Sequence, residues 1–222
     1  SVKYIWEYAF SGCSNMTTLT IGSGVTLLDE YAFSWCSALK NVNIPANVTQ
    51  VGAYAFYECT GLTGATVGAD VGDYMFYGCT GLTTLVIPES VDGIRRGAFY
   101  GCINLTDVTI PQSLEVQGSN LFEGCKTLNQ VRFTNQDPAV AEELFLNTSR
   151  FEDKLHMAVG MLGDDLQSSV LINYLKRYTK QALKLFVDID NDAMLHKVLN
   201  FSFLQDEIDA CFDEVFDYAN RK

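Results

Sequence analysis

Phenylalanine recurs along the chain at Phe10, Phe33, Phe56, Phe76, Phe99 and Phe122, and each is followed three residues later by a cysteine: Cys13, Cys36, Cys59, Cys79, Cys102 and Cys125. The other apolar positions keep step with that pair. Three residues past each cysteine stands Met16, Leu39, Leu62, Leu82, Leu105 or Leu128. Three further on comes Leu19, Val42, Ala65, Leu85, Val108 or Val131, and two beyond that Ile21, Ile44, Val67, Ile87, Ile110 or Phe133. These last two positions alternate with polar residues, the period of a strand buried on one face. Pro45, Pro88 and Pro111 then end the strand and open a turn. A second apolar pair (Val25 and Leu28, Val48 and Val51, Val91 and Ile94) leads back to the next phenylalanine.

One such unit cannot stand alone. Ordering its backbone costs about 1–2 kcal/mol per residue, and each buried aliphatic or phenylalanine side chain returns about 1.5–3 kcal/mol. Stacking covers like residues with like and pairs the short strands edge to edge. The pattern therefore predicts a solenoid of α/β class over residues 1–134, with about six 23-residue repeats and one short strand in each. Two irregularities follow from the spacing. The step from Cys59 to Cys79 is 20 residues, so the solenoid is expected to kink or narrow after Val67. Ser1–Tyr8 aligns with Gly24–Tyr31, so the first copy opens half-way through, and upstream residues or another molecule are expected to cover its strand edge. A worn seventh copy is expected at Leu144-Phe145, with Thr148 in place of cysteine.

The Ala-Phe-x-x-Cys-x-x-Leu-x-x-Val-x-Ile-Pro signature, seen in Tyr31–Pro45 and Gly97–Pro111, resembles the BspA-like subclass of leucine-rich repeats. The resemblance covers residues 2–134 and implies a leucine-rich-repeat solenoid. It also implies a bacterial surface or secreted protein that binds host or matrix proteins, although a fold alone does not fix a function.

From about Asp137 the apolar period changes to 3.6. Leu155, Ala158, Val159 and Leu162 form one predicted helix face; Leu166, Val170, Tyr174, Leu175 and Tyr178 form another. Ile208, Cys211, Phe212, Val215, Phe216 and Ala219 make the clearest stripe, opposed by Asp209, Asp213, Glu214 and Asp217. Asp164, Asn191 and Asp206 are candidate N-caps and Gly163 a candidate stop. The segment Lys154–Val159 recurs 40 residues later as Met194–Leu199, each copy ahead of a break and a longer helix. Residues 135–222 are therefore expected to form an all-α cap, built of helix-pair repeats, that closes the solenoid core.

Charge narrows the partners. The net charge is −12, with −5 over residues 1–134 and −7 over 135–222, and no basic cluster exceeds two residues. A nucleic-acid backbone or an anionic lipid surface would be repelled. No apolar run reaches the ~20 residues of a membrane helix, so no membrane insertion is expected.

Chemistry-bearing residues fit structural roles. One cysteine per repeat in a single register reads as a ladder of buried free thiols, since no Cys-x-x-Cys pairing occurs and ladder side chains lie side by side. Cys211 with His196, and His156 and His196 with Asp153 and Asp192, read as packing or surface residues rather than as a catalytic pair or a metal site. No His-Glu-x-x-His, Gly-x-Ser-x-Gly or P-loop occurs. No catalytic residue, metal or cofactor is expected.

Two surfaces remain as binding candidates. The outward strand positions Thr18, Thr20, Asn41, Asn43, Thr66, Thr84, Asp107, Thr109, Gln130 and Arg132 make a polar, nearly uncharged face. Tyrosines in register form a second stripe, of which Tyr54, Tyr57, Tyr74, Tyr77 and Tyr100 are candidate ligand contacts, with a self-stacking ladder as the alternative. The sequence reading is a non-enzymatic module that binds a protein or glycan ligand at the cell surface or after secretion. The alternative is an intracellular scaffold whose acidic helical end docks a basic partner.

Overall fold

A computed structural model describes residues 2–111, 113–134, 138–162 and 168–221. Its strands are short: β1 (Tyr4–Ile5), β2 (Leu27–Leu28), β3 (Asn41–Ile44), β4 (Gln50–Val51), β5 (Gly64–Val67), β6 (Thr84–Val86), β7 (Gly93–Ile94), β8 (Asp107–Ile110), β9 (Glu115–Val116) and β10 (Gln130–Phe133). The longer strands form one parallel sheet in the order β10-β8-β6-β5-β3. Its register sets Asn41, Gly64, Thr84, Asp107 and Gln130 in one row and Asn43, Thr66, Val86, Thr109 and Arg132 in the next. The residues between them face inward: Val42, Leu85, Val108 and Val131 are buried.

The return segments pair as well, but in two pieces. One ladder joins β1, β2 and β4, a second joins β7 and β9, and a single Val71–Ile94 bridge extends the second ladder towards the gap. The break falls on the short repeat, where the missing residues leave too little chain to form a full return strand. At the short repeat the return ladder is interrupted, while the main sheet runs through it unbroken.

A row of phenylalanines and a row of thiols hold the turns together. Phe10, Phe33, Phe56, Phe76, Phe99 and Phe122 stack in series with centroids 5.2–5.6 Å apart. Beside them the Sγ of Cys36, Cys59, Cys79, Cys102 and Cys125 donates to a phenylalanine carbonyl of the preceding turn, as in Cys59 to Phe33 O (3.1 Å) and Cys79 to Phe56 O (3.1 Å). Every corner also contains two residues in the left-handed region. One lies two before the phenylalanine (Tyr8, Tyr31, Tyr54, Tyr74, Gly97 or Asn120), the other just before the cysteine (Gly12, Trp35, Glu58, Gly78, Gly101 or Gly124).

The first copy departs from the expected pattern. Thr18 and Thr20 are exposed but lie on no strand; one backbone bond, Lys40 N to Thr17 O at 3.3 Å, links their segment to β3. Phe10 and Cys13 are exposed rather than inward, because no turn among the described residues lies over them.

Helices follow: α1 (Ala139–Leu146), α2 (Phe151–Met161), α3 (Ser169–Asp188), α4 (Asp192–Leu199) and, after a 3-10 turn at Ser202–Leu204, α5 (Gln205–Ala219). The worn seventh copy is therefore helical at Leu144-Phe145, and Thr148 turns its hydroxyl back to Leu144 O. Hydrogen bonding to the last turn nevertheless continues. Asn147 O accepts from Asn120 N at 3.0 Å, and Asp153 Oδ1 accepts from Gly124 N at 3.4 Å, where another repeat would supply carbonyls. Further on, Asn191 Nδ2 donates to Asn129 Oδ1 (2.9 Å), and Lys197 Nζ donates to Gly160 O at the end of α2 (3.0 Å).

The helix faces need three corrections. On α3 the buried set is Leu171, Leu175, Thr179, Ala182, Leu183 and Phe186, while Val170 is exposed, so the buried face lies one residue round from the predicted one; the helix also bends at Tyr178. On α5 only half of the apolar stripe is covered: Ile208 and Val215 are buried, Phe212 and Phe216 are not. Asn191 does cap α4, but Asp206 lies inside the first turn of α5, and α3 is capped instead by Ser168. Gly163, Asp164 and Leu166 lie outside the described residues.

Candidate binding surface

The outward rows of the main sheet differ along its length. Over β3, β5 and β6 they present Asn41, Asn43, Gly64, Thr66, Thr84 and Val86, none ionisable. Over β8 and β10 they present Asp107 and Arg132, joined by an ion pair at 3.1 Å. The uncharged end contains a shallow depression of about 430 Å³, lined by Leu19, Asn41, Val42, Asn43, Gly64, Ala65, Thr66, Thr84 and Val86.

The sequence of β5 accounts for it. Gly64 contributes no side chain to the outer row, and Ala65 is the smallest residue at its inward position in any copy. A Cβ added at Gly64 would come within 2.9 Å of Asn41 Oδ1, so the asparagine amide leans over the glycine. Val86 forms the opposite rim, 59% exposed, an apolar spot in an otherwise polar row. Each Asn carboxamide and Thr hydroxyl can both donate and accept, so the depression offers mixed hydrogen bonding without charge.

Of the predicted strand-face residues, the structure brings Asn41, Asn43, Thr66 and Thr84 together around this depression. Asp107, Thr109, Gln130 and Arg132 lie on the same face at its far end, Asp107 and Thr109 half-buried. Thr18 and Thr20 are set apart on their unpaired segment. Lys197 of α4 stands close enough for Arg132 to act on it: burial first, then the Arg132 charge, push its ammonium down to about 8.

The tyrosines take a different arrangement. Tyr8, Tyr31, Tyr54 and Tyr74 stack face to face at 4.8–5.1 Å. Tyr57, Tyr77 and Tyr100 form a parallel row at 4.9–5.2 Å. Tyr54 meets Tyr57 edge-on, and Tyr100 Oη donates to Glu123. All five candidates are half-buried. Within each row the ring faces cover one another, leaving chiefly edges and hydroxyls to solvent. Burial raises the phenol pKa of Tyr54, Tyr57 and Tyr100.

No catalytic arrangement emerges among the described residues. Cys36, Cys59, Cys79, Cys102 and Cys125 are buried free thiols. A hydrogen bond involving Cys59 and then burial raise Cys36, while burial comes first for Cys79, Cys102 and Cys125. His156 is buried edge-on against Phe186, whereas His196 is exposed with Nδ1 2.9 Å from Asp192 O, so the two recurring histidines occupy unlike settings. Among the described residues, no group of three or more His, Cys, Asp or Glu could hold a metal ion, and no helix is long and apolar enough to cross a membrane.

The model of the BspA-type leucine-rich repeat region, six copies long, matches residues 1–71 and 65–154. The chain belongs to that family. Among solved structures, this BspA-type chain is similar to a leucine-rich-repeat protein of T. pallidum, with 28% identity and a TM-score of 0.56 over 60% of this chain and 65% of that one. It is also similar to a leucine-rich cell surface protein of Faecalibacterium prausnitzii (28% identity, TM-score 0.52, 56% of this chain and 33% of that one). A leucine-rich-repeat protein of Eubacterium ventriosum gives 29% identity and a TM-score of 0.53 over 59% of this chain and 38% of that one. The chain thus spans between a third and just under two thirds of the length of these relatives. No curated protein matches it.

Proposed function

We propose that this BspA-type chain is a non-enzymatic binding module that seats a protein or glycan ligand on the uncharged end of its sheet face. The observation that carries the reading is the depression at Gly64, ringed by Asn41, Asn43, Thr66, Thr84 and Val86. An extended peptide or a sugar chain lying along the solenoid axis would meet successive strands about 4.8 Å apart and find donors and acceptors from each. An anionic ligand would gain nothing there and would be repelled by the net charge. The tyrosine stripe is the weaker candidate, since its ring faces are already stacked on one another.

A setting at the cell surface or outside the cell belongs to the same proposal. It is supported by the family and by the similar Faecalibacterium protein, which is described as a cell surface protein. Protease treatment of intact cells tests it: the chain should be lost from intact cells, and its survival until lysis would oppose the reading. The sheet-face seat is tested separately. Asn43→Arg and Thr66→Arg, both on the lining of the depression, should weaken retention on an identified matrix protein or glycan, and unchanged retention would move the site elsewhere.

A further inference from the structure

The apolar stripe of α5 is wide enough for two neighbours, and the fold supplies one. Ile208 and Val215 are buried, with Cys211 beside them half-buried. Phe212 and Phe216, one turn apart on the adjoining face, stack on each other at 6.0 Å and remain 52% and 57% exposed. Polar contacts tie the helix to α3 on the opposite flank. Glu214 accepts from Lys180 and Lys184, each at 2.6 Å, and those two hydrogen bonds hold its carboxyl down to about 2. Tyr218 Oη donates to Asp188 Oδ1 at 2.6 Å.

Charge decides what can cover the exposed pair. Helix α5 contains Asp206, Glu207, Asp209, Asp213, Glu214 and Asp217 and no basic residue. Asp209, Asp213 and Asp217 follow one another at one-turn spacing along one side of the Phe212–Phe216 pair, and the buried Ile208 and Val215 lie on the other. A second copy of this acidic chain, or an anionic membrane, would bring like charges together around the phenylalanines. A segment with leucine-like residues spaced by one turn and Lys or Arg along one side would bury both rings and pair the aspartates.

We propose that the outer face of α5 is a docking site for a basic amphipathic helical segment of another protein. The site is separate from the sheet face and does not depend on its role.

The test uses the full chain and a synthetic Leu/Lys peptide with leucines at helical spacing. A peptide of equal composition with scattered leucines serves as the control for charge attraction alone. At about 50 mM salt the patterned peptide should bind at least about tenfold tighter than the scattered one. Phe212→Ser with Phe216→Ser should abolish that preference, as should Phe216→Ser alone in larger part, which serves if the double variant is unstable. Replacing Asp209, Asp213 and Asp217 by Asn should weaken binding and flatten its decline towards about 500 mM salt. Equal binding of the two peptides, or a preference that survives loss of the phenylalanines, would overturn the proposal. So would a wild-type dimer in sedimentation that the phenylalanine substitutions dissociate, because the face would then serve self-association.

Discussion

At the residue scale, the cysteine of each repeat from Cys36 to Cys125 does two jobs. It fills a small apolar space, and its thiol supplies a donor to the phenylalanine carbonyl of the turn below. Alanine would leave a void and remove the thiol donor, while Phe56 O keeps its backbone bond from Cys59 N at 3.4 Å. Serine would keep the donor but bury a more polar group. We expect Cys79→Ala to cost about 1–3 kcal/mol in denaturant titration. The thiols should also separate by accessibility: under native conditions an alkylating reagent should modify exposed Cys13 and half-buried Cys211, and reach the other five only on unfolding. Modification of Cys59 or Cys79 in the folded protein would contradict the buried ladder.

His156 gives the junction with the helices a pH dependence. Burial pushes its imidazole from 6.5 down to about 4, and its Nε2 is buried without a hydrogen-bond partner. Between these values the unfolded chain binds the extra proton. Stability should therefore be complete above about pH 6.5 and fall as pH drops towards 4, by roughly 3 kcal/mol in all. Neighbouring Asp153 opposes this near the bottom of the window. Burial raises its carboxyl, so the folded form takes up a proton earlier than the unfolded one. Thermal melts of wild type and His156→Leu should diverge in slope between pH 6.5 and 4; identical slopes would remove His156 as the cause.

At the scale of the element, the corner shows how much of the fold the sequence could convey. The Phe-Cys spacing and the strand alternation locate every turn from Phe33 to Phe122, because one side chain per position recurs in the same environment. The left-handed geometry is less legible, since tyrosine or tryptophan stands in sites where glycine is the unstrained choice. Trp35 and Tyr54 hold φ of 56° and 59° because their rings pack on neighbours, a compensation that no local preference reveals. Glu58 has the same strain, φ 55°, with no ring to offset it. Glu58→Gly should raise stability by about 1 kcal/mol, whereas Tyr54→Gly should lower it through lost stacking, by less than Tyr54→Ala does. Melting temperatures of the three variants check the order.

The helices were legible only in part for a related reason. Periodicity reports that a face is apolar but not how many neighbours cover it. Hence the stripe from Ile208 to Ala219 reads as one buried face, though α3 covers half of it. Likewise the recurrence of His156 and His196 suggests equivalent sites, yet one faces Phe186 in the interior and the other solvent.

For the whole molecule, the solenoid and its helical cap divide the surface into regions of different chemistry. The main sheet is neutral at β3–β6 and paired in charge at β8–β10. The tyrosine stripe is closed by its own stacking, and the outer helix is acidic around an open apolar spot. Within the sheet, the signal for the depression was present in the sequence as Gly64 next to Ala65, the smallest pair in their two columns. A list of outward residues gives them no weight, because the feature arises from side chains that are missing.

The most direct test of the sheet-face account is a binding comparison on a panel of glycans and extracellular proteins, using wild type, an Asn43→Arg/Thr66→Arg variant and a Tyr57→Ser/Tyr77→Ser variant. Both Asn43 and Thr66 are exposed, so the arginine variant should melt close to wild type. The account predicts that a ligand retained by wild type is weakened at least about tenfold by the arginines and held by the tyrosine variant. Retention by the arginine variant at wild-type strength, with loss in the tyrosine variant, would contradict it and move the ligand to the aromatic stripe.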